Sequence, residues 1–179
     1  MKLIKKILLG LAILIIIPLV IALFTKKNYS VEREIQIKKS KTEVFEYIKF
    51  LKNQDNFSKW ALMDPQMEKT YKGVDGTVGF VSSWNSKNPD VGKGEQEIKS
   101  IIEGERIEYE LRFIEPFQST EKAFLVTEVI SEKETKVKWG FNGHMKYPMN
   151  LMMLFMDFEK MIGDDFNTGL HNLKNILEK

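Results

Sequence analysis

The hydrophobic pattern begins with one continuous apolar segment. Residues 7–24 are 18 consecutive residues without a charge, and pairs of lysines flank them at positions 5–6 and 26–27. An α-helix rises about 1.5 Å per residue, so a helix of this length just crosses the hydrocarbon core of a bilayer. A buried core helix is rarely apolar on every face. The pattern therefore predicts a transmembrane helix.

A cleaved signal peptide is the alternative to this anchor. Its apolar region is usually shorter and ends at small residues, whereas the bulky Phe24 stands where a small residue would be required. We therefore expect residues 1–27 to form an uncleaved single-pass anchor and residues 28–179 to form one domain. The positive charges before the span slightly outweigh those after it, which favours the outer side of a bacterial inner membrane for the domain.

From residue 28 onwards the pattern changes to shorter periodic elements. Residues 31–38 alternate as a strand, and residues 40–43 form a capping box that begins a helix. A second short helix or turn is expected over residues 53–60. Residues 106–113 alternate apolar and charged side chains, which is typical of an antiparallel strand with one solvated face. Residues 148–177 repeat apolar positions on one helical face, which predicts a last helix of about eight turns.

Further strands are expected between the short helices and the last helix. Residues 67–72 and 77–83 flank Asp75-Gly76, a dipeptide typical of hairpin turns, so they predict a hairpin. Residues 84–94 are rich in Asn and Gly and predict a polar loop. Residues 95–103 predict a strand with the even-numbered side chains on its inner face.

This order of elements predicts an α+β fold. One strand, two short helices, about six antiparallel strands and one long helix follow each other along the chain. An antiparallel sheet with one solvated face has to cover its other face. The long C-terminal helix is the main amphipathic element available for this, so we expect the sheet to curl around it and to leave space between them.

Several segments of the chain resemble a known family. They cover the opening helices, the loop before Trp84, the following strand pair and the last helix: residues 40–65, 73–79, 91–111 and 162–174. The chain resembles the START-like, helix-grip superfamily (SRPBCC), in particular its bacterial polyketide cyclase/dehydrase-type group. The resemblance implies a hydrophobic cavity between sheet and C-terminal helix that holds lipids, sterols or polyketides. Members include carriers, cyclases, hydrolases and chaperone activators, and fold alone does not choose among them.

Charge and composition exclude several classes of function. The chain has 27 Lys and Arg against 25 Asp and Glu, but five lysines lie in residues 1–27, so the remaining domain has a net charge of −3. A negative domain argues against nucleic acid as a partner. The chain has no Cys, and its two histidines lie 27 positions apart outside any metal-binding motif. Because no nucleotide-binding fingerprint occurs either, we expect no cofactor and no metal.

Aromatic side chains supply most of the candidate ligand contacts. Each of them could instead be ordinary core. Ile162 is added as a cavity-facing residue of the last helix, and Gln96 as a polar group that could hydrogen-bond a ligand or a neighbouring strand. The aromatic candidates are Trp60, Tyr71, Trp84, Tyr109, Phe113, Trp139, Phe141, Phe155 and Phe158.

Asp165 is the one candidate for catalysis. It lies on or beside the stripe of the last helix that should face the cavity. A buried carboxylate there needs either a charged partner or a raised pKa, and it could act as a general base or anchor a ligand. The alternative is a carboxylate at the rim, paired with a Lys or Arg of the sheet.

Five methionines fall within residues 149–161, an unusual density. Methionine is flexible and adapts to varied apolar partners. The cluster is therefore interpreted as an adaptable pocket mouth, as a surface that touches a membrane or a partner protein, or as plain core.

The sequence thus predicts a membrane-anchored domain that binds a small hydrophobic ligand. One alternative is an enzyme of the cyclase or hydrolase type that uses a cavity carboxylate as general base. Another is a protein-interaction module similar to the chaperone activators.

Overall fold

The fold consists of one curved sheet, one long helix inside it and a separate apolar helix at the start of the chain. The structure is a computed structural model and describes residues 2–179, so only Met1 of the predicted anchor lies outside it. Two 3-10 helices occur at Leu51–Asn56 and Met149–Leu154. The other elements are α1 (Lys2–Phe24), β1 (Asn28–Ile37), α2 (Lys41–Lys49), α3 (Lys59–Met63), β2 (Glu68–Lys72), β3 (Val81–Asn85), β4 (Lys93–Ile102), β5 (Arg106–Glu115), β6 (Ser119–Ser131), β7 (Glu134–His144) and α4 (Phe158–Leu177).

The seven strands form a single antiparallel sheet in the order β1-β7-β6-β5-β4-β3-β2. The first and last strands of the chain pair along their whole length, from Asn28 opposite His144 to Ile37 opposite Thr135. The remaining neighbours are successive hairpins. Helix α4 packs on the inner face of this sheet, so the predicted arrangement of an antiparallel sheet around a C-terminal helix is confirmed.

The hydrophobic core occupies one end of the space between the sheet and α4. Leu170 and Leu173 in the second half of α4 are fully buried there. Helix α2 closes this end with a buried face that includes Phe45 and Ile48. The predicted capping box is confirmed, because the Ser40 and Glu43 side chains each accept from the backbone N–H of the other.

Helix α4 approaches the sheet closely at Gly169. A Cβ atom on this residue would lie 2.8 Å from the indole ring of Trp139 on β7. No larger residue fits at this position without moving that ring. The glycine therefore fixes the distance between helix and sheet beside Trp139.

The last helix begins ten residues later than the sequence pattern predicts. The Asp157 side chain accepts a hydrogen bond from the backbone N–H of Lys160 (2.9 Å) and caps α4 at its start. The preceding 3-10 helix, Met149–Leu154, is a separate element that Asn150 fastens to α1. The Asn150 Nδ2 donates to the carbonyl oxygens of Ala22 (2.7 Å) and Thr25 (3.0 Å).

The connection between β2 and β3 differs from the predicted tight turn. The strands pair from Lys72 opposite Val81, so residues 73–80 form an eight-residue loop. Asp75 serves another purpose in this loop, because its carboxylate accepts from the backbone N–H groups of Leu51 (2.8 Å) and Lys52 (3.2 Å). It thereby caps the 3-10 helix Leu51–Asn56.

Two other predictions along the sheet need correction. Trp84 lies within β3 and not in a polar loop, because β3 starts and ends later than expected. The even-numbered side chains of β4 face inward only up to Ile98, since the pairing with β5 shifts register between Ile98 and Ser100. Beyond this bulge Ile101 packs against the core and Ile102 is exposed.

Most of helix α1 lies outside the packed domain, which it contacts through the 3-10 helix Met149–Leu154. Nearly all of its side chains are exposed, and Ala22 alone among its described residues is buried. Of the described residues, only those of α1 form a helix that is long and apolar enough to cross a membrane. It is therefore a candidate membrane span.

Candidate functional site

A cavity of about 390 Å³ separates the sheet from the first half of α4. The 3-10 helix Leu51–Asn56 and helix α3 close it from the side. It lies at the end of the sheet where α1 joins β1, because Tyr29 near the start of β1 and Phe141 near the end of β7 both line it. The packed core fills the other end.

Three aromatic rings form the wall of the cavity beside α3. Trp139 and Phe166 stack, with ring centroids 4.7 Å apart and planes 16° apart. The Trp60 ring stands edge-on to Phe166, at 5.8 Å and 88°. Such offset and edge-on contacts stabilise aromatic clusters beyond their buried area, so this wall is expected to be rigid.

The opposite wall comes from the far side of the sheet. The rings of Trp84 and Phe113 meet edge-on with centroids 6.1 Å apart. The indole N–H of Trp84 donates to the carbonyl of Val91 (3.3 Å), which ties the adjoining loop to the rim. Gln96 of β4 lies between these rings and the core, opposite Ser82 and Leu111 on its two neighbouring strands.

A carboxylate is buried at the end of the cavity nearest to α1. Glu121 is only 7% exposed, and burial raises its pKa above the usual range of a glutamate. Its Oε2 accepts from the backbone N–H of His144 (2.8 Å), which offsets part of that rise. A carboxyl group in this setting can exchange a proton at a higher pH than an exposed glutamate.

Tyr29 lies beside Glu121 at the same end. Its ring covers Gly143, where the missing side chain leaves room for it, and packs against Phe158 with centroids 5.7 Å apart. Burial, and then the charge of Glu121, raise the pKa of its phenol to about 12. The phenol therefore stays protonated and available as a hydrogen-bond donor at neutral pH.

The rim beside β2 carries the second group of charges. Lys69 forms an ion pair with Asp55 of the 3-10 helix, and both side chains line the cavity. The Tyr71 hydroxyl donates to Asp55 (3.0 Å) from outside the cavity. Burial, followed by this hydrogen bond to Asp55, raises the pKa of Tyr71 to about 12.

Solved structures with the same architecture come from several differently named proteins. The solution structure of an Aha1 dimer from Colwellia psychrerythraea superposes with a TM-score of 0.57 over 84% of this chain and 96% of that one, at 13% identity. The crystal structure of Ara h 8.0201 gives 0.56 over 84% and 97%, at 12% identity. A crystal structure of an uncharacterised protein from Bacillus thuringiensis gives 0.58 over 84% and 100%, at 14% identity. The chain has the helix-grip fold.

Identities this low show the fold alone. No family model matches the chain, and no curated protein matches it either. Membership of the polyketide cyclase/dehydrase-type group therefore stays a prediction.

Most of the predicted contact residues lie on the wall of the helix-grip cavity. The structure brings together residues from α3, four strands and α4 that are far apart in the sequence. These eight are Trp60, Trp84, Gln96, Phe113, Trp139, Phe141, Phe158 and Ile162.

The other four predicted residues do not line the cavity. Tyr71 stacks on Phe80 at the outer side of the rim, and Tyr109 is fully buried in the core. Phe155 is 82% exposed, because α4 begins only after it. Asp165 forms an ion pair with Lys59 of α3, so it is a rim carboxylate as in the alternative interpretation, although its partner comes from a helix and not from the sheet.

Sequence reasoning did not place Tyr29 and Glu121 in the site. The sequence pattern predicts strands that begin at residues 31 and 122, whereas β1 and β6 begin three residues earlier, at Asn28 and Ser119. The sequence contained a signal for Glu121, because it lies two and four positions before Ala123 and Leu125 and so shares their inward side of β6. Among the described residues, no group of three or more His, Asp or Glu side chains is placed to hold a metal ion.

Proposed function

We propose that the helix-grip domain binds a small hydrophobic ligand, such as a lipid or a polyketide-like molecule, in the cavity beside α4. The observation that carries this proposal is the cavity itself, about 390 Å³ of space with aromatic walls. Small-molecule sites typically occupy about 300–1,000 Å³, and apolar walls with few polar groups are usual for them. The volume and the lining both fit this class of site.

Burial of apolar surface would supply most of the affinity. A ligand that loses about 200 Å² of apolar surface to the cavity gains about 5 kcal/mol, at roughly 25 cal/mol per Å². Tyr29 and Glu121 offer a hydrogen-bond donor and an acceptor at one end of the apolar space. We therefore expect an amphipathic ligand whose polar group lies at that end.

The anchor is part of the proposal. Helix α1 would span the membrane, and only residues 25–27 separate it from β1. The cavity end that contains Tyr29 would then sit close to the bilayer, where apolar molecules are concentrated. The charge balance around the span supports a domain on the outer side of a bacterial inner membrane.

The test compares the lipids that co-purify with three forms of the full chain. In Ala123→Phe the new ring projects into the cavity, because Ala123 is buried on its wall. The control Val129→Phe places the same ring on an exposed site at the far end of β6. All three forms keep α1 and hence the same annular lipids. Organic extraction and mass spectrometry then give the amount of each molecule per protein.

A cavity ligand is expected in the unmodified protein and in Val129→Phe, and it should be depleted in Ala123→Phe. Equal extracts from all three folded forms would contradict ligand binding. They would favour a protein-interaction role instead.

A second candidate is a reaction in which Glu121 acts as general base. Its burial and raised pKa favour this role, because a base is most effective when its pKa approaches the working pH. Glu121→Gln should then retain the bound molecule unchanged, whereas the unmodified protein converts it to a product of different mass or structure. An unchanged molecule in both forms would argue against catalysis.

A further inference from the structure

The segment between β7 and α4 is unusually apolar for a surface. Residues 147–156, here called the Met-rich segment, contain no charged residue. Asn150 is buried, but Tyr147, Met149, Leu154 and Phe155 are exposed, and Phe155 is 82% exposed. Each of the four exposed side chains leaves at least 40% of its surface uncovered, and this apolar surface needs another environment.

The attachment of this segment to α1 indicates that environment. The buried Asn150 Nδ2 donates to the carbonyl oxygens of Ala22 (2.7 Å) and Thr25 (3.0 Å), and the N–H of Met145 donates to the carbonyl of Lys27 (2.8 Å). Ala22 lies two residues before the end of the apolar helix, which is about 3 Å along its axis. The Met-rich segment therefore sits at the depth of the last turn of α1.

When α1 spans a bilayer, side chains at the depth of its last turn lie in the bilayer interface and not in bulk water. Amphipathic segments at an interface bury their apolar side chains about 5–10 Å into the boundary between headgroups and acyl chains. The exposed residues here are large and apolar, and the 3-10 helix among them contacts α1. Lys26, Lys27 and Lys146 flank the attachment, which suits anionic headgroups.

We propose that the Met-rich segment inserts into the bilayer interface beside α1 and holds the domain against the membrane. This inference rests on the proposed membrane anchor. It deepens the proposed function, because Phe158 and Ile162 follow the segment directly and line the cavity. The cavity would thus open beside lipid.

The absence of Cys from the chain allows a direct test with single labels. Phe155→Cys, Val129→Cys and Leu14→Cys are each labelled with a fluorophore in the full chain. The protein is reconstituted in vesicles of phosphatidylcholine and phosphatidylglycerol that contain a nitroxide-bearing lipid. Val129 (62% exposed) is the matched apolar control at the opposite end of the sheet, and Leu14 (70% exposed) reports on the middle of α1.

Nitroxide lipids with the quencher near the headgroup should quench the label at position 155 several-fold more than the label at position 129. Lipids with the quencher deep in the acyl chain should quench the label at position 14. If the label at position 14 is quenched but the labels at positions 155 and 129 are quenched equally and weakly, the insertion of the Met-rich segment is overturned and the anchor remains. Weak quenching at all three positions would overturn the docking together with the anchor, whereas ligand binding is tested separately by the Ala123→Phe extract.

Discussion

At the scale of single residues, Glu121 has the most consequential environment. It lies at an inward position of β6, where its neighbours Ala123 and Leu125 are apolar. The hydrogen bond from the backbone N–H of His144 offsets part of the cost of burying this carboxylate. Burial nevertheless raises the pKa of Glu121. Asp165, the catalytic candidate from the sequence, instead forms an ion pair with Lys59 of α3.

Replacing Glu121 by Gln should stabilise the fold at neutral pH. Because the folded state raises the pKa of Glu121, it keeps the proton at pH values where the unfolded chain has lost it. The unmodified protein therefore loses stability as the pH rises from the usual glutamate pKa, about 4.3, through the raised value. In chemical denaturation at about pH 7.5, Glu121→Gln should have a higher free energy of unfolding than the unmodified protein. This difference should shrink towards about pH 4.

Glu128→Gln on the exposed face of β6 is the control with the opposite sign. The hydrogen bond from Lys138 lowers the pKa of Glu128, so this glutamate stabilises the fold at neutral pH and loses that effect as the pH falls. If Glu121→Gln stabilised the fold equally at both pH values, the result would contradict a raised pKa of the buried Glu121.

At the scale of elements, the boundaries depend on one local cap and on contacts with distant parts of the chain. The Asp157 cap begins α4, and Asn150 fastens the preceding 3-10 helix to α1. Asp75 lies in a loop between two strands but caps the 3-10 helix that closes the cavity. Local periodicity could not show either contact, because the partners are more than 20 positions away.

Removing the Asp75 cap should destabilise the fold by about 1–2 kcal/mol, as for other capping residues. Asp75→Ala leaves the N–H groups of Leu51 and Lys52 without their acceptor. Chemical denaturation of the full chain in detergent measures the change. Asp75→Asn keeps one acceptor oxygen and should recover part of the loss. An effect of Asp75→Ala below that of Asp75→Asn would contradict the capping role.

At the scale of the whole molecule, the cavity, the Met-rich segment and α1 share one end of the fold. The opposite end is filled by the core and closed by α2. Because the core and the cavity lie at opposite ends, the cavity can hold a ligand while the core still packs the sheet against α4. A ligand in the cavity should accordingly stabilise the entire domain.

The molecule recovered from the extracts should raise the melting temperature when it is added back. A ligand at about 100 times its dissociation constant stabilises the folded state by about 2.7 kcal/mol. For a protein of this size, each kcal/mol shifts the midpoint by about 2–4 °C, so we expect a shift of about 5–11 °C. Ala123→Phe should show little or no shift, and Val129→Phe should respond like the unmodified protein. Equal shifts in all three forms would place the binding outside the cavity.

The sequence by itself determined the elements that depend on local chemistry. The uncharged run of residues 7–24, the Ser40 capping box and the alternation along β5 each predict their structure through contacts within a few residues. The long-range arrangement also followed, because an antiparallel sheet with one apolar face and one long amphipathic helix leave few ways to bury both.

The tertiary structure alone decided which of the apolar residues face the cavity. Trp139 lines it and Tyr109 does not, although both alternate inward along their strands. The bulge in β4 and the inward Glu121 depend on pairing between strands. Helix α4 begins late, at the Asp157 cap, after the segment that Asn150 fastens to α1. A local pattern records only whether a side chain prefers burial. Whether it is buried against core, ligand space or membrane depends on what the rest of the chain places opposite it.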